Sequence, residues 1–290
     1  MPETIRVQVR EGASLVVRAV PLEDYVAVTI LSEFDPPAGN TRAIESMYEV
    51  QAIISRSYAL ARRARHASND FDVCGTAECQ VYEPARLQTS RWAALARRAA
   101  DETRGEILTY GGAPAEALFH ADCGGHTSSA ADVWGGPRVP YLVDDRDDVD
   151  HGHDDWTFQA SGAAIAAALD ADPRTTLDAP LTSIRVADRD RAGRAEQIAL
   201  GGGGERLVRG AVFRAVMSRR FGVKSIRSTL FSIARLKDGF VFSGKGFGHG
   251  VGLCQAGAFA RLQAGETPTA VLSHYFPGTS LSGPVSTVQE

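Results

Sequence analysis

The stretch GKGFGHGVGLCQAGA, residues 244–258, places glycine at every second position from 244 to 252 around a single imidazole, His249, and ends in Cys254 and Gln255. Glycine at this density serves a few known chemistries, and spacing tests each one. A dinucleotide loop needs a third glycine three residues after the G-x-G pair, and after Gly246 and Gly248 that position is Val251. A phosphate loop needs Ser or Thr after its lysine, and Lys245 is followed by Gly246. There is no G-x-S-x-G nucleophile elbow either. What remains is backbone that can take left-handed torsions and lie close against a flat ligand or another chain, with His249 able to satisfy backbone groups at a turn.

Two other positions carry chemistry. Glu33 ends PLEDYVAVTILSEF, where acidic residues in the first turn and Leu22, Val26, Ile30 and Leu31 on one face predict a helix that stops before Asp35-Pro36-Pro37. A carboxylate in the last turn of a helix opposes the dipole, so it needs solvent or a purpose. Cys74 and Cys79 lie close in sequence, and with His66, Glu78 or a residue of the 123–126 stretch they can complete a four-ligand zinc site. A disulfide and two buried thiols fit the same text.

The elements that must position these residues read as α+β: helices on mixed or antiparallel sheets, with a smaller α+β subdomain inserted. Residues 4–20 alternate like a hairpin turning at Glu11-Gly12, and a long amphipathic helix spans roughly 41–66. A third helix is expected near 88–103, then two strands joined by Gly111-Gly112. Residues 141–155, dense in Asp, read as a solvated loop whose acidic and glycine positions do not match an EF-hand. The expected division is a core of residues 1–149 plus 240–290 and a subdomain of 150–239. The subdomain holds helices at 160–169 and 209–219, strands around TSIRVADRDRAGRAEQIAL and a strand pair ending in FSIARLKDGFVFSG.

Composition bounds the partners. With 290 residues and 44% hydrophobic residues the chain buries a real core. A formal net charge of -4 and a pI near 6.0 argue against nucleic acid, which calls for a concentrated excess of Lys and Arg. The first twenty residues lack a basic start with a continuous apolar stretch, and nowhere do 18 apolar residues run together, so neither an export signal nor a membrane span is expected in this sequence.

Four long segments, in order, resemble the stage II sporulation protein D (SpoIID/LytB) family. They are PLEDYVAVTILSEF, VQAIISRSYALARR, DVCGTAECQVY together with EALFHADCGGHTSSAADVWGG, and the C-terminal GKGFGHGVGLCQAGAFARLQAGETPTAVLSHYFPGT. The resemblance covers most of the chain outside 150–225. It implies a cell-wall protein, extracytoplasmic once any export signal is removed, acting on peptidoglycan glycan strands. Family members are lytic transglycosylases or modifiers of amidases, so an amidase or another wall protein is the implied partner.

In the transglycosylase reading one carboxyl group serves as acid and then base, and Glu33 falls where the family's catalytic Glu lies, with Asp35 as the backup carboxylate. Arg56 aligns with an arginine thought to hold substrate. His120, His126, Lys245, His249 and Gln255 become substrate contacts, the glycine segment forming the second wall of a glycan groove opposite Glu33. No cofactor is required; a structural zinc at Cys74, Cys79 and His66 is the implied option. Four departures are visible: Glu49 replaces a family lysine, Cys254 a small polar residue and Glu78 a histidine, and the connection after Glu33 is longer than usual.

Overall fold

A computed structural model describes residues 2–283 except 38, 39, 64, 150, 151 and 154, with backbone only at 67. In chain order the elements are β1 (Thr4–Glu11), β2 (Ser14–Pro21), α1 (Leu22–Glu33), α2 (Thr41–Arg62), β3 (Val73–Cys74), α3 (Arg86–Thr89), α4 (Ala93–Glu102), β4 (Ile107–Tyr110), β5 (Ala113–Pro114) and β6 (Phe119–His120). There follow α5 (Ala130–Trp134), β7 (Asp155–Ser161), α6 (Gly162–Asp170), β8 (Ser183–Arg189), β9 (Ala195–Gly201), β10 (Glu205–Arg209) and α7 (Gly210–Phe221). The last are β11 (Phe231–Leu236), β12 (Gly239–Lys245), β13 (Leu253–Cys254), α8 (Gln255–Gln263), α9 (Pro268–Tyr275) and β14 (Ser280–Ser282). The fold is α+β, as expected.

The chain separates into two compact units, one of residues 1–118 with 258–290 and one of 119–257. These boundaries differ from the expected ones: 119–149 and 240–257 join the inserted region rather than the first core. The reason is strand pairing. β6 pairs in parallel with β13, Phe119 beside Leu253 and His120 beside Cys254, and Asp122 bridges Phe247. Those partners lie more than 120 residues apart, too far for local text to reveal.

In the first unit, β1 pairs antiparallel with β2 and parallel with β3. Helices α1, α2 and α4 pack on one another. Helix α1 is apolar nearly all round, with Leu22, Tyr25 to Leu31 and Phe34 beyond its end all buried, which is the pattern of a helix inside a core. Helix α2 ends at Arg62, short of the expected 66. The expected helix of 88–103 is two pieces, because Ser90 is extended and its hydroxyl accepts the Trp92 N–H, an arrangement that competes with helix. The turn at Gly111-Gly112 is there, but β5 is only two residues long and the chain leaves the sheet after Pro114, which has no N–H to give.

The second unit has two three-stranded antiparallel sheets, β10-β9-β8 and β11-β12-β7. Helices α6 and α7 share their core, centred on Phe213, Met217, Phe231 and Phe242. The Asp-rich stretch is irregular from 141 to 149 but is not the fully solvated loop expected, because Tyr141, Leu142 and Asp147 are buried; positions 150, 151 and 154 lie outside the described residues.

Candidate active site

Helix α1 delivers Glu33 as its last residue. No basic residue sits in the final turn, and the N–H of Phe34 closes the helix on the carbonyl of Ile30. The loop after β3 then ties to the helix at three places, two of them at this end and one at Tyr25 in its first turn. The Val81 N–H donates to the Glu33 carboxylate; the Glu83 N–H donates to Ser32 Oγ at 3.0 Å; and Tyr25 Oη donates to Gln80 Oε1 at 2.7 Å. Tyr25 also stacks on Tyr82, ring centroids 5.5 Å apart. The loop is in turn tied to the sheet, Gly75 N–H donating to the Gln8 carbonyl at 2.8 Å, and is closed by a disulfide between Cys74 and Cys79.

Burial is the largest influence on the Glu33 carboxyl and pushes it up to about 7, against the lowering effect of the Val81 N–H and with a further push from Glu83. The side chain is nonetheless partly exposed. A group that is half protonated near neutral pH and reaches solvent can give a proton and take one back. Asp35 is exposed beyond the helix.

Arg56 does not stand where a substrate could meet it. It is 0% exposed, with Nε and Nη2 on the Glu23 carboxylate, Nη1 on the Glu106 carbonyl at 2.9 Å and Nη2 also on the Ala100 carbonyl at 3.1 Å. The expected contact to sugar is therefore replaced by a core ion pair joining α1, α2 and the end of α4. Glu49 is half-buried, and burial first, then Glu102, Glu106 and Glu45, raises its carboxyl.

His66 Nε2 lies 3.3 Å from Cys79 Sγ, and the donor atoms of His66, Cys74 and Cys79 lie within 4.8 Å of one another. Glu78 is turned to Arg65 at 3.5 Å instead. Cys123 and Cys254, both buried and in no disulfide, belong to the second unit, Cys254 Sγ accepting the Cys123 N–H at 3.2 Å.

The other expected substrate contacts also lie in the second unit. His249 is held by the backbone at Nδ1, which accepts the Val251 N–H at 3.0 Å. Burial first, then Arg214 and Arg194, pushes this imidazole down to about 3, so it is neutral at physiological pH. Its ring lies 5.1 Å from Trp134 and 5.4 Å from His120. His120 is buried, with Nδ1 3.2 Å from the Val251 carbonyl, and burial holds its imidazole well below the usual range. Gly248 and Gly250 have positive φ, and a Cβ on either would strike His120 or the Arg194 guanidinium at 2.6 and 2.4 Å. His126 Nδ1 faces the Thr127 carbonyl at 2.7 Å, Lys245 is exposed with Nζ 3.8 Å from Asp155, and Gln255 is buried at the start of α8.

Sequence reasoning found Glu33 but not its clamp. The signal was present: Tyr25 and Ser32, seven residues apart, share one helix face, and both turn toward the segment following Cys79.

A raised carboxyl at the end of a buried helix, held by a loop that a cysteine pair closes, defines an α+β protein with one candidate acid–base group in its first unit. Residues 10–110, which contain that whole arrangement, match the family model described as Stage II sporulation protein. Residues 155–252 match a Domain of unknown function (DUF8618). An uncharacterised protein of Brachyspira hyodysenteriae (strain ATCC 49526 / WA1) is 29% identical over 269 residues, 92% of this chain and 68% of that protein. Stage II sporulation protein D of Bacillus subtilis (strain 168) is 25% identical over 290 residues, 96% of this chain and 79% of its own. The amidase enhancer of the same organism is 24% identical over 277 residues, 81% of this chain but only 37% of its own. These similarities support the stage II sporulation protein D family as the one this chain resembles.

Proposed function

We propose that this chain is a peptidoglycan lytic transglycosylase of the extracytoplasmic cell wall, with Glu33 as its single general acid and base. The observation that carries the reading is the Glu33 carboxyl, pushed up to about 7 by burial while still partly exposed. Protonated Glu33 donates to the glycosidic oxygen between N-acetylmuramic acid and N-acetylglucosamine, and the bond from that oxygen to the muramic C1 breaks. The muramic C6 hydroxyl oxygen then bonds to C1, and its proton passes to the Glu33 carboxylate. The 1,6-anhydro ring closes, the acid is regenerated and no water is consumed, so a second carboxylate is not required. The Val81 N–H stabilises the carboxylate between the two transfers.

A structural zinc belongs to the same reading. As a disulfide, Cys74 and Cys79 offer no thiolate; once reduced, their sulfurs and His66 Nε2 are three converging donors suited to tetrahedral zinc with a fourth ligand. Zinc there would brace the loop that presents Val81, leaving both proton transfers to Glu33.

The test is incubation with glycan strands, with and without stem peptides, and mass spectrometry for anhydromuramic ends. Activity is expected to fall about tenfold per pH unit above about pH 7, and Glu33→Gln is expected to remove roughly 10²–10⁴ of the rate. Activity that survives Glu33→Gln sinks the mechanism. A second reading is favoured by the similarity to the amidase enhancer: a wall-binding partner of an amidase that cuts nothing itself. Stimulation of an amidase by wild type and Glu33→Gln alike, with no anhydro ends, would select it.

A further inference from the structure

Two cysteines of the second unit take no part in the acid–base reading. Cys123 follows β6 and Cys254 ends β13, the parallel pair that brings together residues 131 apart in sequence. Both are 0% exposed. Beside them stands Asp122, and its carboxylate and the two Sγ atoms all lie within 4.8 Å of one another. A second carboxylate, that of Asp147, has Oδ2 3.5 Å from Cys123 Sγ. His153 Nδ1 lies 2.7 Å from Asp122 Oδ1, which also accepts the Gly124 N–H at 2.9 Å. The backbone is fixed here as well, since Asp122 and Phe247 each donate an N–H to the other's carbonyl at 2.9 Å.

Buried cysteines are commonly small core residues whose thiols pack against apolar atoms. This pair is surrounded differently. Three backbone N–H groups point at its sulfurs: Cys123 and Gly257 donate to Cys254 Sγ at 3.2 and 3.4 Å, and Gly125 donates to Cys123 Sγ at 3.2 Å. Donors aimed at sulfur favour thiolate over thiol and are the kind of support that metal-bound ligands receive from their surroundings. Arg194 is a second, independent sign. It is 1% exposed, donates through Nη2 to the Cys123 carbonyl, and has Nε and Nη1 without a partner among the described residues. Burial draws its guanidinium down against the opposing pull of Cys123, Asp190, Cys254 and Asp122. A cation buried this deeply calls for negative charge close by, and two thiolates would supply it.

We infer that Cys123, Cys254 and Asp122 hold a zinc ion within the second unit, with Asp147 as the nearest fourth ligand and His153 orienting Asp122. Neighbouring ligand atoms of a tetrahedral zinc stand about 3.3–3.8 Å apart, so donors already within 4.8 Å close on one by small side-chain rotations. Sulfur together with carboxylate oxygen suits zinc rather than magnesium or calcium, which take oxygen alone. As each Zn–S bond forms, the S–H proton leaves to solvent; no electron moves and no oxidant is required. The anionic ligands outweigh the charge of the ion, and the Arg194 guanidinium offsets the excess. Asp122 and His153, with side chains 14% and 20% exposed, give the ion its route in from solvent. The ion would pin β6 to β13 and to the start of α8, which is a structural role. The inference rests neither on the glycan-cleavage reading nor on zinc at Cys74 and Cys79.

The test uses the full chain carrying Cys74→Ser and Cys79→Ser, in which Cys123 and Cys254 are the only cysteines left. The protein is loaded with zinc chloride or cobalt(II) chloride, dialysed, and read by metal content, by cobalt–thiolate charge-transfer absorption and by thermal midpoint. About one zinc per chain is expected, with the cobalt absorption and a raised midpoint that a chelator reverses. Thiols titrated in denaturant without reductant should both react. In the same chain Cys254→Ser, which keeps the size of the side chain, and Asp122→Asn are expected to lose the zinc and the midpoint shift while circular dichroism shows the fold intact. His153→Ala is expected to weaken zinc binding about 10–100-fold, because it orients a ligand without being one. If the double variant does not fold, the same measurements are made on wild type with the Cys74–Cys79 disulfide closed, since a disulfide offers no thiolate. Three results overturn the inference: no bound zinc, unchanged zinc affinity in Cys254→Ser or Asp122→Asn, and unreactive thiols because Cys123 and Cys254 are already joined as a disulfide. Glycan cleavage is not among the readouts, so failure of the Glu33 reading leaves this result untouched.

Discussion

Two arginines are almost equally hidden, and they behave oppositely. Arg56 in the first unit spends its donors on the Glu23 carboxylate and two carbonyls, whereas Arg194 in the second leaves Nε and Nη1 unmatched. Both are withdrawn from water, so burial does not separate them; partner count does. The satisfied cation is a structural tie across three helices, and the unsatisfied one marks where the protein retains a cost that packing does not explain. The same division holds for the acid–base groups. Burial pushes Glu33 up to about 7 in the first unit and His249 down to about 3 in the second, so each is held toward its neutral form. Both are partly exposed; Glu33 accepts the N–H of a loop residue far away in sequence, Val81, and His249 that of Val251 in its own glycine segment.

Several measurements would break or sharpen that contrast. The largest effects concern His249 and Arg56. A histidine whose folded pKa lies below its unfolded value loses stability as pH falls from about 6.5 toward about 3, and for His249 the loss is roughly 3–5 kcal/mol. Acid unfolding followed by chemical denaturation at each pH should show this slope, flattened in His249→Gln; an unaltered slope removes His249 from the account. Arg56→Met is expected to cost about 3–5 kcal/mol because it strands Glu23, while Arg194→Met costs about 1 kcal/mol or less. Equal losses in the two variants would end the distinction between the arginines.

Glu33 gives the opposite pH dependence. Its folded pKa is raised, so the native state binds the proton more tightly than the unfolded chain, and stability falls as pH rises from about 4.5 to about 7. Glu33→Gln should therefore stabilise the protein at pH 8 by about 1–3 kcal/mol while removing activity; a destabilised variant would mean that the carboxylate is a structural group. The smallest effect is expected of the clamp: Ser32→Ala loses the bond from the Glu83 N–H and costs about 1 kcal/mol, read from the denaturation midpoint.

The hairpin, the buried helix and its abrupt end were legible because each rests on neighbours in sequence: alternation over residues 4–20, an apolar run closed by Asp35-Pro36-Pro37 and an acidic first turn. The break at Ser90 was less so, since a helical pattern on both sides masks one hydroxyl that accepts the wrong N–H. Arg56 read as a substrate contact through the family resemblance, and its true partner, Glu23, lies 33 residues away on another helix, so nothing within α2 reveals that pairing. The grouping of 119–149 with 240–257 was out of reach for the same reason, as a parallel pair such as β6 and β13 leaves no hairpin signature.

By itself, then, the sequence determined which residues bring chemistry and which family they resemble, because residue type and local spacing are written in the chain. Only the tertiary structure decided what those residues are. Desolvation, ion pairing and access to solvent depend on atoms far away in sequence. They turned Glu33 into an acid near neutrality, Arg56 into a core tie, His249 into a neutral pillar of the glycine segment, and Arg194 into a buried charge with donors to spare.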